Sequence, residues 1–354
     1  MEKIFQDGIT ASCPLPITEH STVQLGHGSG GKMMNDLISR LFLWAFDNPV
    51  LNQMDDHAAL DISGTKLAFS TDSFVVDPLF FPGGDIGDLA VNGTINDIAM
   101  SGAKPLFLSA GFILEEGFSL TDLKRIVVSM QRAAKEAGVV IVTGDTKVVD
   151  KGKGDKVFIN TAGIGLIEHN FSISAQAIQP GDAVILSGTL ADHGIAILSQ
   201  REGLSFETTV KSDTAALHSL VSEMLSAGGT AVHALRDPTR GGLAATLNEF
   251  AASAGVGIRL DEQRIPVTPA VAGACEMLGI DPLHVANEGK LVAIVAREKA
   301  ESVLKAMRQN PLGQHSVIIG DVITDSPGMV SMQTKLGAWR IVDMLVGEQL
   351  PRIC

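Results

Sequence analysis

Cysteine is scarce in this sequence. Only Cys13, Cys275 and Cys354 occur in 354 residues. None forms a C-x-x-C pair and the count is odd, so neither a disulfide framework nor a zinc site is indicated. An excess of base is missing as well. Against 40 acidic groups stand 27 basic ones, a formal net charge of −13, which argues against binding to nucleic acid or to an anionic membrane. No run approaches the ~18 apolar residues of a membrane span. The opening MEKIFQDGITASCPLP contains no apolar signal region. These absences point to a soluble protein of a reducing cytoplasm. What is present is a 45% hydrophobic fraction, ample for a core, over a length that allows two domains.

Residues 1–20 read as an irregular leader. From about 66 to 167 strand-like and helix-like segments alternate, which implies a mixed α/β domain over 21–175. TKLAFSTD, KPLFLSAGFIL, VVIVTGD and KVFINTAGIGLIE have strand character, and DIGDLAVNGTINDIAMSGA has helical spacing. SLTDLKRIVVSMQRAAKEAG predicts an amphipathic helix capped by Ser119 and stopped by Gly138. The Pro180-Gly181 turn after FSISAQAIQ marks the boundary. A second βα series follows over 176–345, and GEQLPRIC suggests a mobile tail over 346–354.

Residues 26–33, GHGSGGKM, fit G-x-x-x-x-G-K, the phosphate loop of many nucleotide hydrolases. Gly28, Gly30 and Gly31 offer unhindered backbone N–H groups, and Lys32 adds a cation at a helix start. The next position demands Ser or Thr for magnesium and holds Met33, and no strand ending in a Walker-B acid stands out. Taken alone, the loop reads more readily as a turn. His27 reads equally well as a solvent-facing loop residue.

Several acids sit where a core would not want them: Asp55-Asp56 in MDDHAAL, Asp72 in STDSF, Asp97 in NDIAM, Asp145 in VTGDTK and Asp237 in RDPTRGG. In a helix over 85–99, Asp97 shares a face with Ile86, Ala90 and Gly93, and an ionised carboxylate there is costly unless paired or bound to metal. Any one of these acids reads equally well as a strand end or helix cap. The five motifs together fit a crevice for Mg2+ and ATP, because magnesium binds through carboxylates and phosphate oxygens.

The segments GHGSGGKMM, TDSFVVDPLFFPGGDIGDLAVNGTINDIAMSGA, VTGDTKVV, RDPTRGGLA and PRIC together resemble the HypE family of hydrogenase maturation factors, from about residue 24 to the end. That family belongs with aminoimidazole ribonucleotide synthetase, selenophosphate synthetase and thiamine phosphate kinase. The resemblance implies a two-domain PurM-like α/β fold (α+β in its layering), with the N-terminal halves of a homodimer pairing into a β-barrel. It implies that Asp56, Asp72, Asp97 and Asp237 bind magnesium and phosphates, with Asp55 an alternative to Asp56, and that Asp145 faces the nucleotide.

It also implies an activity, the ATP-dependent dehydration of a carbamoyl group on the Cys354 thiol to a thiocyanate. The cyanide is destined for the iron of a nickel–iron hydrogenase. The implied partners are a HypF-like carbamoyltransferase and a HypC–HypD-like acceptor complex. Lys147 and Glu288 are the implied catalytic groups; without the resemblance they read as a strand-end lysine and a turn residue. A thiol on the last residue of a tail suits such a role. GEQLPRIC spans at most about 27 Å at ~3.4 Å per residue, enough to enter a cleft, and Arg352 would draw it towards phosphate. Cys13 and Cys275 read as bland.

Two other readings compete. A selenophosphate synthetase would carry a reactive Cys in the glycine segment, which GHGSGGK lacks; a purine-pathway synthetase would leave the terminal cysteine without a purpose. An ATP-binding scaffold would use PRIC only as a docking peptide.

Overall fold

A computed structural model describes residues 22–203, 209–347, 350 and 352–354. The expected leader with Cys13, and part of the expected tail, lie outside the described residues. The strands in chain order are β1 Ala58–Ile62, β2 Thr65–Phe74, β3 Phe80–Phe81, β4 Gly84–Asp85, β5 Lys104–Glu115, β6 Val140–Val149, β7 Val157–Leu166, β8 Ala183–Leu186, β9 Val232–Arg236, β10 Gly257–Asp261, β11 Val292–Val295, β12 Val317–Ile323, β13 Val330–Gln333 and β14 Trp339–Val342. The helices are α1 Lys32–Leu37, α2 Leu43–Phe46, α3 Ile86–Met100, α4 Leu120–Ala137, α5 Asp192–Glu202, α6 His218–Gly228, α7 Gly242–Ala254, α8 Pro269–Leu278 and α9 Arg297–Met307.

Among the described residues the strands form a five-stranded sheet in the order β1-β2-β7-β5-β6, a seven-stranded sheet in the order β14-β13-β10-β12-β8-β11-β9, and the small ribbon β3-β4. The first sheet is antiparallel except where β5 meets β6. Residue 120 begins α4 because the Ser119 hydroxyl accepts from the Asp122 N–H, and Gly138 ends it in the left-handed region at φ 70°. The buried stripe of α4, which includes Ile126, Met130, Ala133 and Ala137, packs mainly against α3 and leaves the other face wet.

α3 differs. Every residue from Ile86 to Met100 except Asp97 is buried. The helix is enclosed on all sides, which explains why its sequence shows small and apolar residues all round rather than a single stripe. Gly93 is required there: a Cβ would stand 2.9 Å from the ring of Phe74 on β2.

Among the described residues nothing covers one face of the first sheet. Register places Phe69 opposite Ile164, Ile164 opposite Phe107, and Phe107 opposite Val140. This row of four crosses four strands, and each member keeps 39–57% of its surface exposed. Among the described residues no helix is long and apolar enough to cross a membrane.

Candidate active site

Four of the acids predicted from sequence are brought together, three of them by regular elements or the turn that follows one. β2 supplies Asp72, α3 supplies Asp97, and the turn after β9 supplies Asp237. Asp56 enters from the segment before β1, where the Ser70 hydroxyl links it to the cluster: Ser70 Oγ lies 2.9 Å from the Asp56 carbonyl and 2.7 Å from Asp97 Oδ2. The acids feel one another. Burial first, and then Asp237, Asp72 and Asp56, push the Asp97 carboxyl well above the ordinary range. Burial and Asp56 do the same to Asp237. Burial raises Asp56 to about 6, against the pull of Arg236.

Asp56 Oδ2 and Asp237 Oδ2 are buried and, among the described residues, lack a hydrogen-bond partner. Orphaned carboxylate oxygens are costly in a bare protein, and they fit a hard cation. Among the described residues no three His, Cys, Asp or Glu side chains are placed to enclose a metal by themselves. Ligands from outside the chain, such as phosphate oxygens, are needed to complete a magnesium shell.

Glu288 joins this cluster from the turn before β11. Its N–H donates to Asp213 Oδ1 at 3.0 Å, and its carbonyl accepts from Asn96 Nδ2 at 3.2 Å. A Cβ on Gly289 would lie 1.8 Å from the Asp213 carbonyl oxygen, so the N-E-G order is what lets these two loops touch. Glu288 Oε1 is buried and, among the described residues, has no hydrogen-bond partner. Burial, helped by Asp237, Asp72 and Asp213, raises its pKa well above the usual carboxylate range, and Arg240 opposes them.

Two arginines were missed in the sequence reading, although both flank the acid in RDPTRGG. Arg236 Nε lies 3.0 Å from Asp56 Oδ1, its Nη1 pairs with Glu249, and its Nη2 donates to the Met54 carbonyl at 2.7 Å. The guanidinium thereby points one Asp56 oxygen away and leaves the other facing the cluster. Arg236→Met is expected to cost about 3–5 kcal/mol of stability by leaving buried carboxylates unpaired, the lower end being favoured because Glu249 is 31% exposed. Chemical denaturation would read this, and an unchanged midpoint would count against the ion pair. Arg240 is the second cation. The charge at Cys354 is the first cause of its raised pKa, followed after burial by Asp72 and Glu288.

The glycine loop packs against the Arg240 turn. A Cβ on Gly30 would stand 2.4 Å from the Arg240 carbonyl oxygen, and one on Gly241 2.8 Å from that of Gly30. Lys32 is engaged elsewhere in this structure: its N–H donates to the Leu345 carbonyl at 2.9 Å, and its ammonium pairs with Asp343 at 2.6 Å. Gly28 lines a cavity of about 80 Å³ together with Ser29, Ser73, Arg240 and Cys354. The described end of the expected tail is seated here, for Ile353 is buried and joins the core around Phe74, Val76 and Phe81.

Asp145 and Lys147 are not brought to this cluster. They pair with each other at 2.6 Å on the edge strand β6, both more than two-thirds exposed, and that contact lowers the Asp145 pKa.

The models for AIR synthase related protein match this chain with their N-terminal domain over residues 54–167 and their C-terminal domain over 179–331. Carbamoyl dehydratase HypE of Cupriavidus necator is 59% identical over 333 residues, covering 94% of this chain and 95% of the relative. The chain belongs to the carbamoyl dehydratase HypE family. HypE of Escherichia coli K12 is 51% identical over 339 residues, covering 94% of this chain and the whole of the relative. The HypE–HypF complex contains a chain 50% identical with a TM-score of 0.83, covering 87% of this chain and 99% of that one. HypE in complex with ATP is 52% identical with a TM-score of 0.79, covering 94% of this chain and all of that one. Thiamine monophosphate kinase of Aquifex aeolicus, at 19% identity and a TM-score of 0.63, shares the PurM-like fold alone.

Proposed function

We propose that the chain dehydrates a carbamoyl group carried on the Cys354 sulfur to a thiocyanate at the expense of ATP, and so supplies cyanide for a nickel–iron hydrogenase. The observation that carries this reading is the placement of Cys354 beside Arg240 and the glycine loop, next to buried acids with orphaned oxygens. The crystallised relatives holding ATP and HypF support it.

In this reading the carbamoyl oxygen attacks the γ-phosphorus of ATP as one N–H proton leaves the nitrogen, releasing ADP and leaving an O-phosphorylated imidate on sulfur. Loss of the second N–H proton and of phosphate then gives S–C≡N. An amide oxygen is a poor leaving group and phosphate a good one, which is the use of ATP here. Asp56, Asp72, Asp97 and Asp237 would hold magnesium, which when bound neutralises phosphate charge. Gly28, Gly30, Gly31 and Lys32 would face phosphates, Lys32 leaving Asp343 to do so. Arg240 would draw the phosphorylated group inward. Glu288 would accept the proton, its carboxyl ionising as the anions beside it are neutralised.

The open apolar row Phe69–Ile164–Phe107–Val140 supports a homodimer, since a patch of this kind on a sheet face is a usual mark of an interface. Register places Asp145 opposite Gly111 and Lys147 opposite Ile113, an exposed residue, so Lys147 shares the open face with it. In the dimer Asp145 and Lys147 would act towards the second copy's cleft. A HypF-like carbamoyltransferase would load Cys354, a HypC–HypD-like complex would take the cyanide, and the cytoplasm is the proposed compartment. The domain limits 21–175 and 176–345 are proposed on the same basis.

The test is the mass of the C-terminal peptide after incubation with Mg–ATP, carbamoyl phosphate and the carbamoyltransferase. A carbamoyl adduct on Cys354 that loses one water only with ATP is the expected result. An unmodified tail, with the transferase shown to be active, would overturn the reading.

A further inference from the structure

The last residues of the chain are held largely through their backbone. The Arg352 carbonyl accepts from the Asp77 N–H at 3.3 Å and from Arg201 Nη2 at 2.7 Å. The Ile353 carbonyl accepts from His193 Nε2 at 2.9 Å, and a main-chain oxygen of Cys354 from the Val75 N–H at 3.0 Å. The main-chain oxygens of three successive residues are therefore occupied. Rising numbers on one side meet falling numbers on the other, so 352–354 lies antiparallel to 75–77, the segment that continues β2. Arg352 Nε adds a bond to the Val75 carbonyl at 2.9 Å.

His193 and Arg201 both stand on α5, two turns apart. A carbonyl only accepts, so the His193 proton sits on Nε2, and Nδ1 accepts from the Ser212 hydroxyl at 2.8 Å. Ser212 is fixed in turn, its N–H donating to the Pro82 carbonyl at 2.8 Å. The imidazole is wholly buried, edge-on to Phe81 at 5.7 Å between centroids. Burial lowers its pKa, which keeps this tautomer neutral. Arg201 also donates through Nε to the Asp77 carbonyl at 2.8 Å, so one guanidinium ties tail and strand extension together.

We propose that His193 and Arg201 are positioning residues for the tail: they grip the carbonyls of Ile353 and Arg352 and thereby set how far Cys354 reaches into the cleft. The proposal rests on the reading of Cys354 as the carrier thiol. It adds to that reading a device that recognises backbone rather than the sulfur. None of these bonds involves Sγ, so the grip is the same for a free, carbamoylated or cyanated thiol. Mode and strength resemble the addition of a short peptide strand, which is reversible.

The experiment is alkylation of full-length protein by iodoacetamide, followed at Cys354 on its own peptide so that Cys13 and Cys275 do not interfere. His193→Ala and Arg201→Ala are each expected to raise the Cys354 rate roughly fivefold, the loss of one hydrogen bond. His193→Gln, which restores an N–H donor, is expected to return it towards wild type. In turnover with the carbamoyltransferase, the alanine variants should lower the dehydration rate and leave the KM for ATP unchanged. Wild-type alkylation rates in both folded alanine variants would overturn the clamp. Where His193→Ala does not fold, Ile353→Ala removes the anchor from the tail side and is expected to give the same increase; a wild-type rate there and in Arg201→Ala overturns it equally. Faster alkylation without any carbamoyl adduct keeps the clamp and removes the carrier role of Cys354.

Discussion

Exchanging Glu288 for glutamine is expected to leave loading of Cys354 intact and to slow dehydration by about 10²- to 10⁴-fold, the usual contribution of a positioned acid–base group. The side chain is 2% exposed, and both of its backbone polar groups are held, the N–H by Asp213 and the carbonyl by Asn96. Glutamine has the same shape and can keep that geometry, so the change removes proton transfer rather than structure. The raised pKa makes the ionised carboxylate a stronger base than a surface glutamate. It also ties basicity to occupancy, because Asp237 and Asp72 hold the proton on until their charge is balanced. In a single turnover, the carbamoyl adduct on the C-terminal peptide should accumulate and persist. A variant that dehydrates at the wild-type rate would remove Glu288 from the reaction.

Asp97→Asn is expected to abolish turnover while making the empty protein more stable. The sign follows from linkage. A carboxyl whose folded pKa lies above its unfolded value binds protons preferentially in the native state, so its contribution falls as pH rises. The penalty is absent below the unfolded value of about 4 and complete above the raised one. The difference in Tm between variant and wild type should therefore be near zero at about pH 4 and grow on going to pH 8. His57 and His193, whose pKa values are lowered by burial, slope the other way, and they cancel in the difference. Each kcal/mol gained corresponds to about 2–4 °C or less at this size. Mg–ATP should reverse the order by stabilising only the wild type. A variant no more stable than wild type at pH 8 would show that the acid cluster is not under strain.

Much of the fold was readable because its signals are local. α4 has a stripe, a serine cap and a glycine stop, and each is a short-range preference that the structure satisfies. Asp97 was conspicuous for a related reason: a charge on the apolar side of a helix contradicts its surroundings. Arg236 and Arg240 escaped notice because an arginine near an aspartate looks like ordinary surface chemistry until burial is known. Lys32 was read as facing phosphate, but Asp343, more than three hundred residues away, holds it here. No local pattern encodes such a pairing. His193 and Arg201 lay hidden for the same reason, since their partners are backbone carbonyls, which the sequence does not distinguish.

The enclosure of α3 has a consequence for how such a protein can vary. A helix with one wet face can drift there without consequence, and α4 has such a face. α3 has none, so a change at almost any of its positions meets a neighbour on β2, β7, α4 or α6 and requires a matching change there. The one position not fully buried is Asp97, and under the proposed function chemistry rather than packing fixes its identity. Natural variation in this helix should thus arrive in compensating pairs, while the acid between them stays alone.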